Sequence, residues 1–449
     1  MSRLEERRQH IEEIVWHAIQ AVDPYTSVKR VISRSGDNLL VQAAKGKKRY
    51  LLNAYKHIWV VGCGKAGAPM CLALEDAVGD RISGGIVVVK YGHCGSRMPQ
   101  RITLVEGGHP EPDEAGMDAC RDSMEVLKKA TARNLVVGLI SGGGSALWPQ
   151  PVPPVTLDDT IALTRQLIAC GADIHEINIV RKHVSLVKGG QAALHAAPAD
   201  VVVLAMSDVV GDEVDTIASG PFAPDASTFA DAWQVITKYG LRESVPQSIA
   251  DRLQQGVQEL LEETPEPGHE AFLKVTHVVC ASNRVALEAA AEKAHLLGYE
   301  PVVLPAPQTG ECRDAAKDFC IRLRALQQGV HGKPRCVITG GETTVTLGEA
   351  HGTGGRNQEF ALASAYMLEE MEDVVVASVG TDGTDGPTDA AGALVDHSSL
   401  ARARGAGLDP DEALTGHNAY PLFDALGDLI KTGPTGTNVM DIQIGIISG

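Results

Sequence analysis

Short, wholly apolar segments alternate with helical segments along most of this chain, and this alternation restricts the fold more than any other feature. In the first half, the predicted strands cover residues 57–61, 86–89, 102–105, 135–140 and 201–205. Strands that are apolar on both faces are typical of a parallel sheet covered by helices on both sides. The sequence therefore predicts an α/β fold with a doubly wound N-terminal domain.

A second α/β domain is predicted beyond a charged segment with two prolines, residues 262–270. The length of 449 residues also favours two domains. We predict domains at 1–262 and 271–449. The second has predicted strands at 276–281, 301–304, 335–339 and 374–379, predicted helices at 285–297, 314–326 and 360–367, and a final apolar strand.

Charge and cysteine content narrow the function classes and the compartment. Asp and Glu number 57 against 40 Lys and Arg, which gives a formal charge of −17. An acidic chain without long basic runs argues against nucleic-acid binding. No apolar run is long enough to span a membrane. Nine scattered cysteines without a C-x-x-C pair predict reduced thiols and a cytoplasmic protein. A homo-oligomer is left open.

A glycine turn after the first strand is the first candidate for binding an anion. Gly62, Gly64 and Gly67 match G-x-G-x-x-G between a strand and a helix, where backbone N–H groups cradle phosphate. Lys65 lies inside this turn. Close packing of the helix on the strand would explain the same glycines.

A second turn, S-G-G-G-S, follows the strand at 135–140. Gly142, Gly143, Gly144 and Ser145 place backbone donors at the carboxyl end of a strand, where open α/β sheets bind ligands. We predict both turns as phosphate- or nucleotide-binding loops, with a flexible turn as the alternative for the second.

The first turn also fits a dinucleotide-binding fingerprint, which implies an NAD(P)H-dependent reductase. That site needs an acidic residue at the end of the second strand for the ribose. Residues 89–91 are Val-Lys-Tyr and supply none, although Lys90 suits an NADP phosphate. The reductase stays an alternative, with His109 as its candidate proton donor.

Carboxylates follow two later strands and are candidates for metal binding or proton transfer. Asp208 and Asp212 come after the strand at 201–205, and Asp208 suits Mg²⁺ or a hydroxyl proton. Helix capping is the alternative for both. Asp382, in the loop at 381–389, is a weaker metal candidate because Asp and Gly also form ordinary turns.

Arg356 and a group of polar residues in the first half are further candidates for ligand contact. Arg356 follows a glycine pair and opens an apolar helix, and its planar fork suits a substrate carboxylate or phosphate. Arg181, Ser185 and Lys188 share one face of a helix predicted over 173–195. A solvated face explains that second set as well as a ligand site does.

The motifs of P-loop enzymes, zinc proteases of the H-E-x-x-H type and G-x-S-x-G hydrolases are absent from the sequence. Glycine cradles, single cations and aspartates remain, distributed over two α/β halves. Phosphoryl transfer uses this mixture, with cations and N–H groups for phosphate and carboxylates for Mg²⁺ or the accepting hydroxyl.

Eight segments of the chain, which include the two glycine turns and the segments around Asp208 and Arg356 described above, resemble the type II glycerate kinases, the glycerate 2-kinase family with a C-terminal MOFRL domain. The resemblance spans residues 61–442 and implies a Rossmann-like N-terminal domain, a smaller α/β domain and an active site in the interdomain cleft. It also implies an ATP- and Mg²⁺-dependent phosphorylation of D-glycerate to 2-phosphoglycerate, with Lys65, Asp208 and Arg356 as site residues. The matching segments are VGCGKAG, EGGHPEPD, LISGGGSAL, INIVRKHVSLVKGG, MSDVVGDEVDTIASGP, GGETTVTLGEAHGTGGRNQEFALA, GTDGTDGPTDAAGALVD and TGPTGTNVMDI.

Some members of this family carry the name hydroxypyruvate reductase, which keeps the reductase as the alternative. A third hypothesis, a sugar-acid binding protein without catalysis, is the weakest of the three.

Overall fold

The computed structural model describes residues 3–44, 46–328, 332–348 and 351–448. The chain divides into two compact units. The first, Pro24–Cys280, is called the central unit here. The second combines Met1–Asp23 with Ala281–Gly449 and is called the terminal unit, because both chain ends belong to it. The predicted domains, 1–262 and 271–449, differ from these units at both borders.

The described residues of the central unit form nine α-helices, one of them a single turn, four short 3₁₀ helices and nine strands. Numbered in chain order after helix α1 (Arg3–Ala21), its helices are α2 (Pro24–Val31), α3 (Gly67–Val78), α4 (Glu114–Lys128), α5 (Gly144–Leu147), α6 (Leu157–Ala169), α7 (Ile174–His183), α8 (Gln191–Ala196), α9 (Phe229–Lys238) and α10 (Gln247–Val257). Its strands are β1 (Ile32–Ser35), β2 (Asn38–Ala43), β3 (Gly46–Leu51), β4 (His57–Cys63), β5 (Gly84–Lys90), β6 (Ile102–Gly107), β7 (Asn134–Ile140), β8 (Asp200–Met206) and β9 (Val275–Ala281).

Six of these strands form one sheet in the order β6-β5-β4-β7-β8-β9. The pairs β4–β5, β5–β6, β4–β7 and β7–β8 are parallel, and every residue of β7 is buried. This is the order of a doubly wound nucleotide-binding sheet, with a reversal between β4 and β7. The predicted fold class is confirmed, and the reversal places the turns after β4 and β7 side by side.

Strands β1, β2 and β3 form a separate antiparallel sheet. Two local predictions in this unit were wrong. The predicted helix 173–195 is interrupted after α7, where Ser185 forms an isolated bridge with Pro151. Strand β9, predicted for the second domain, is instead the edge strand beside β8.

The predicted linker at 262–270 is bound to the central unit by its own hydrogen bonds. Thr264 is buried and donates its hydroxyl to Asp225 Oδ2 at 3.0 Å, and the amide of Asp225 donates to the carbonyl of Pro265 at 3.0 Å. Proline and charge in this segment therefore mark an anchored surface turn. The chain passes between the two units at Asp23–Pro24 and again at the end of β9.

The terminal unit is a smaller α/β structure around a mixed sheet. Its sheet has the order β10-β12-β16-β13-β14-β15, and β11 also pairs with β12. Strands β10 and β11 run parallel to β12, whereas the other pairs are antiparallel. The strands are β10 (Glu300–Val303), β11 (Gln308–Glu311), β12 (Arg335–Thr344), β13 (Val375–Gly380), β14 (Gly392–Asp396), β15 (Leu429–Ile430) and β16 (Asp441–Ile447), and the helices are α11 (Asn283–Leu296), α12 (Cys312–Gln328), α13 (Arg356–Leu368), α14 (Ser399–Gly405), α15 (Pro410–Thr415) and α16 (Ala419–Leu426).

Helix α1 belongs to the terminal unit because of what its two faces contact. Ile11, Ile14 and Val15 are fully buried, and the helix packs against α11. Arg8 donates to the carboxylates of Asp396 and Asp428, at the end of β14 and just before β15. Burial of an aliphatic side chain contributes about 1.5–3 kcal/mol, so this face fixes α1 on the unit. No described helix is long and apolar enough to cross a membrane.

Candidate active site

The two predicted glycine turns of the central unit form one connected structure. The amide of Lys65 donates to the carbonyl of Gly142 at 3.0 Å, and the amide of Ala66 donates to Ser141 Oγ at 3.1 Å. The amide of Ser141 donates to the carbonyl of Cys63 at 3.0 Å. The sheet reversal therefore produces a double turn at the carboxyl ends of β4 and β7, the place where α/β sheets bind ligands.

The glycines of the first turn have specific packing reasons. A Cβ on Gly62 would lie 2.0 Å from the carbonyl oxygen of Leu139 on the neighbouring strand. A Cβ on Gly67 would lie 2.8 Å from a methyl carbon of Val87. Gly64 has a φ of +135°, and a Cβ there would lie 2.0 Å from Ser141 Oγ. Close packing thus accounts for all three glycines, and contact of Gly62 and Gly64 with phosphate stays a prediction.

The second turn brings three polar side chains together. A Cβ on Gly142 would lie 2.2 Å from Oδ2 of Asp208. Gly143 has a φ of +81°, and a Cβ there would lie 2.9 Å from Nε2 of His109 and 3.4 Å from Cε of Lys65. The predicted residues Lys65 and Asp208 therefore both lie beside this turn, together with His109.

Burial and charge set the protonation of this group. Burial raises the pKa of Asp208, and the positive charge of Lys65 opposes that shift. Burial, followed by the charges of Lys65, Lys90 and His93, lowers the pKa of His109 to about 4. At neutral pH His109 is therefore an uncharged imidazole and a poor proton donor, which weakens the role it would need in a reductase.

Gly144 and Ser145 at the end of the turn face the interior. A Cβ on Gly144 would lie 2.7 Å from the Cβ of Ala218. The hydroxyls of Ser145 and Ser219 are 2.8 Å apart, and Ser219 donates to Oδ1 of Asn178 at 2.8 Å. The hydroxyl of Ser145 is therefore held in a polar chain, and its predicted contact with nucleotide phosphate stays a prediction.

Arg356, in the terminal unit, is engaged by two carboxylates. Its Nε and Nη2 lie 2.6 and 2.9 Å from the two carboxylate oxygens of Asp441, and its Nη1 lies 2.7 Å from Oε1 of Glu342. A guanidinium has five N–H donors, so two remain after these three contacts. The predicted contact of Arg356 with substrate stays a prediction, and it would use those remaining donors.

The start of helix α13 is occupied by a carboxylate of the protein itself. The amides of Asn357 and Gln358 donate to the two oxygens of Asp385 at 3.0 and 2.9 Å. Burial raises the pKa of Asp385 to about 6, and these amide hydrogen bonds oppose the shift. A Cβ on Gly355 would lie 2.3 Å from Cγ of Asp385, which explains that glycine. Sequence reasoning missed Asp385, although the repeated Asp-Gly pairs of the loop at 381–389 could have indicated it.

The two remaining aspartate candidates lie in turns. Oδ1 of Asp382 accepts the amide of Thr384 at 3.1 Å, which is a local turn contact. Asp212 has a φ of +57°, and its amide donates to the carbonyl of Val209 at 3.2 Å. Neither contact tests metal binding, so Asp382 stays a weak candidate.

The described residues contain one group of three potential metal ligands, Glu311, Cys312 and Glu359. Glu359 already accepts from Arg313 and lies 2.8 Å from Nδ1 of His417. These contacts explain the buried carboxylate of Glu359 without a metal ion. Mg²⁺ binds through one or two carboxylates together with substrate phosphates, and Asp208 as its ligand stays a prediction.

Comparison with known proteins agrees with this architecture. Residues 10–254 match a family described as a domain of unknown function, DUF4147, and residues 335–441 match the MOFRL family. A protein of Pyrococcus horikoshii named glycerate 2-kinase is 38% identical over 441 residues, covering 97% of this chain and 96% of the relative.

Two further similarities bear on the alternatives. The crystal structure of a glycerate kinase from Thermotoga maritima has a TM-score of 0.85 and 36% identity, covering 99% of this chain and all of that one. A protein of Agrobacterium vitis with a provisional name as a hydroxypyruvate reductase is 43% identical over 388 residues, 86% of each chain. With the DUF4147 match over more than half of its length and these near full-length similarities, the chain belongs to the glycerate kinase family with a MOFRL domain.

Proposed function

We propose that the chain catalyses ATP-dependent phosphorylation of D-glycerate at its 2-hydroxyl, which gives 2-phosphoglycerate and ADP. The observation that carries this proposal is that Lys65 and Asp208 both lie beside the triple-glycine turn at the sheet reversal. A cation and a carboxylate at such a turn supply what phosphoryl transfer requires. The relatives named glycerate kinase support the choice of substrate.

The proposed roles follow from the position and charge of each residue. Lys65 offsets negative charge on the γ-phosphoryl group as that group moves from ATP to the glycerate oxygen. Asp208 accepts the hydroxyl proton, because burial raises its pKa and makes it a stronger base than an exposed aspartate. Arg356 binds the substrate carboxylate or the transferring group with its two remaining donors.

Mg²⁺ belongs to this proposal as the cation that neutralises nucleotide phosphate. Asp208 is the residue that would hold it, with Asp382 as a second and weaker candidate. If Asp208 holds the ion, the proton leaves through another group, so proton acceptance and metal binding are alternative roles for one carboxylate.

The turn at Gly142, Gly143, Gly144 and Ser145 is proposed to contact nucleotide phosphate, as are Gly62 and Gly64. The cytoplasmic location predicted from the scattered cysteines is part of the same proposal. A homo-oligomer is compatible with the reaction and is not required by it.

One pair of assays tests the reaction class. Purified protein is given D-glycerate, ATP and Mg²⁺ with detection of ADP, and in parallel hydroxypyruvate with NADH or NADPH. We expect ADP to form only when D-glycerate is present, and enolase to convert the product directly to phosphoenolpyruvate. Rapid oxidation of the nicotinamide without ADP formation would replace the kinase with the reductase. ADP formation whose product enolase does not accept would overturn the assignment to the 2-hydroxyl.

A further inference from the structure

A cavity of about 180 Å³ lies in the central unit beside Ser145, at the end of the triple-glycine turn. Helices α6 and α7 and the proline-rich segment after α5 supply its walls. Much of the wall is apolar, with contributions from Pro110, Pro149, Pro151, Ile161 and Ile168. A carbon skeleton of a few atoms would pack well against such a surface.

Two cations of the segment 181–188 line the same cavity, and neither has an acidic partner among the described residues. Arg181 is partly buried, and its hydrogen bonds are two long contacts of 3.4 Å to Oγ1 of Thr164. Lys188 is 6% exposed and donates to the carbonyl oxygens of Ser145 and Trp148 at 2.9 and 3.1 Å. Both cations therefore rely on neutral oxygen atoms alone.

Arg165, which lines the same cavity, provides a comparison because it has an acidic partner within the protein. Its guanidinium is 2.6 Å from Oε1 of Glu111, and both side chains are exposed. Glu111 is the cavity's acidic lining residue, and this ion pair engages it at the solvent-exposed rim. Among the described residues, no carboxylate forms such an ion pair with Arg181.

A buried and a partly buried cation that repel each other are unfavourable unless something compensates them, because burial removes part of their hydration. A guanidinium has a planar fork that matches carboxylate and phosphate oxygens in a two-point contact. We propose that this cavity binds a small organic oxyanion, a carboxylate or a phosphate ester, with Arg181 as its primary contact, Lys188 as the second cation and the apolar wall against its carbon atoms.

The cavity adjoins the triple-glycine turn, because Ser145 of that turn also lines it. The proposal does not rest on the roles given to Lys65 and Asp208. The protonation of Lys188 provides a second measurable effect of ligand binding, in addition to affinity. Burial and the charge of Arg181 lower the pKa of Lys188 to about 8, while the thiols of Cys63 and Cys120 act in the opposite direction. A bound anion favours the charged ammonium. Binding near pH 8 should therefore take up a fraction of a proton per site, and affinity should fall above that pH.

The test uses isothermal titration calorimetry of the full chain with inorganic phosphate, followed by competition with D-glycerate and with ADP. Arg181→Gln removes the proposed contact, and Arg165→Gln is the matched control from the same cavity. We expect Arg181→Gln to weaken binding tenfold or more, and Arg165→Gln to change it less than threefold. Repetition at pH 8 in two buffers of different ionisation enthalpy measures the proton uptake.

Displacement of phosphate by D-glycerate would assign the site to a carboxylate ligand, and displacement by ADP would assign it to a nucleotide. Both results support the proposal. Equal binding by the wild type and Arg181→Gln, or equal losses in the two arginine variants, would overturn it, since the ions would then bind elsewhere or through general charge. Arg181→Lys keeps the charge without the fork, so it provides the folded comparison if Arg181→Gln does not fold.

Discussion

The guanidinium of Arg356 and the carboxylate of Asp441 form a two-point ion pair, in which Nε and Nη2 lie 2.6 and 2.9 Å from the two oxygens. The side chain of Asp441 is completely buried, whereas that of Arg356 is 32% exposed. Burial raises the pKa of Asp441, and Arg356 opposes that shift. The pair therefore has a structural task at the start of β16, whatever Arg356 does for the substrate.

Arg356→Ala should destabilise the terminal unit and also reduce activity. Loss of the guanidinium leaves Asp441 buried without its counter-charge, and breaking such a pair costs about 3 kcal/mol. The lost contact with substrate should lower kcat/KM by about two orders of magnitude or more. Guanidinium unfolding and steady-state kinetics measure the two effects separately.

The double variant Arg356→Ala with Asp441→Asn separates them further. It removes both charges, so most of the lost stability should return while kcat/KM stays low. Recovery of activity together with stability would show that Arg356 acts on the fold alone.

Lys65→Ala should lower kcat/KM by about two orders of magnitude or more with little change in stability. Lys65 is proposed to offset the charge of the transferring phosphoryl group, and lost charge stabilisation has effects of this size. The control is Lys128→Ala, on the exposed end of α4, where the lysine pairs only with Glu125. Steady-state kinetics with D-glycerate and ATP measure both variants, and near-normal activity of Lys65→Ala would exclude it from the mechanism.

The pH profile of kcat/KM should report the carboxylate of Asp208. The reaction needs this group ionised, and burial raises its pKa above the ordinary value of 3.8. Activity should therefore be lost as pH falls through that raised pKa, at a higher pH than an exposed aspartate would give. The measurement is kcat/KM from acid to neutral pH for the wild type.

Asp208→Asn should reduce kcat/KM at least a hundredfold and abolish this acid limb. The control Asp122→Asn, at an exposed position of α4, should keep the wild-type profile. An unchanged acid limb in Asp208→Asn would assign the titration to another group and remove Asp208 as the base.

Alanine substitutions at two glycines should have opposite signatures. A Cβ on Gly142 would lie 2.2 Å from the carboxylate of Asp208, so Gly142→Ala should displace that side chain. We expect a large loss of kcat/KM with little change in Tm. A Cβ on Gly62 meets the backbone carbonyl of Leu139 at 2.0 Å, inside the sheet. Gly62→Ala should therefore lower Tm by several degrees or prevent folding.

Thermal unfolding and kinetics on both glycine variants provide the comparison. Equal loss of Tm would mean that Gly142 serves packing in the same way as Gly62. Normal kinetics in Gly142→Ala would mean that Asp208 tolerates the displacement, which its proposed role does not allow.

The parallel sheet of the central unit was predictable because its strands are short, apolar and followed by glycine or aspartate turns. The same turns gave Lys65 and Asp208, since carboxyl ends of parallel strands meet at one edge. Strand β9 has the same apolar pattern, but nothing local shows which of two sheets an apolar strand joins. That choice is made by tertiary packing against β8.

The partners of Arg356 and the environment of Arg181 were beyond prediction for a related reason. Asp441 lies 85 residues from Arg356, and no spacing rule connects them. The pattern Arg181, Ser185 and Lys188 suggested one continuous helix, but the chain leaves the helix at Val184. The two cations therefore reach a shared cavity by a bend in the chain, which periodicity does not reveal.

Helix α1 precedes the central unit in the chain and yet packs in the unit whose remaining residues follow the central unit. Its apolar residues Ile11, Ile14 and Val15 acquire their partner only when α11 has been made, more than 250 residues later. At roughly 5–20 residues per second, that interval is on the order of tens of seconds. The central unit can fold in the meantime, while the nascent amino-terminal helix must remain unattached or shielded. Packing of α1 therefore depends on synthesis of the segment that begins at Ala281, and a product truncated before that segment would keep the apolar face of α1 exposed.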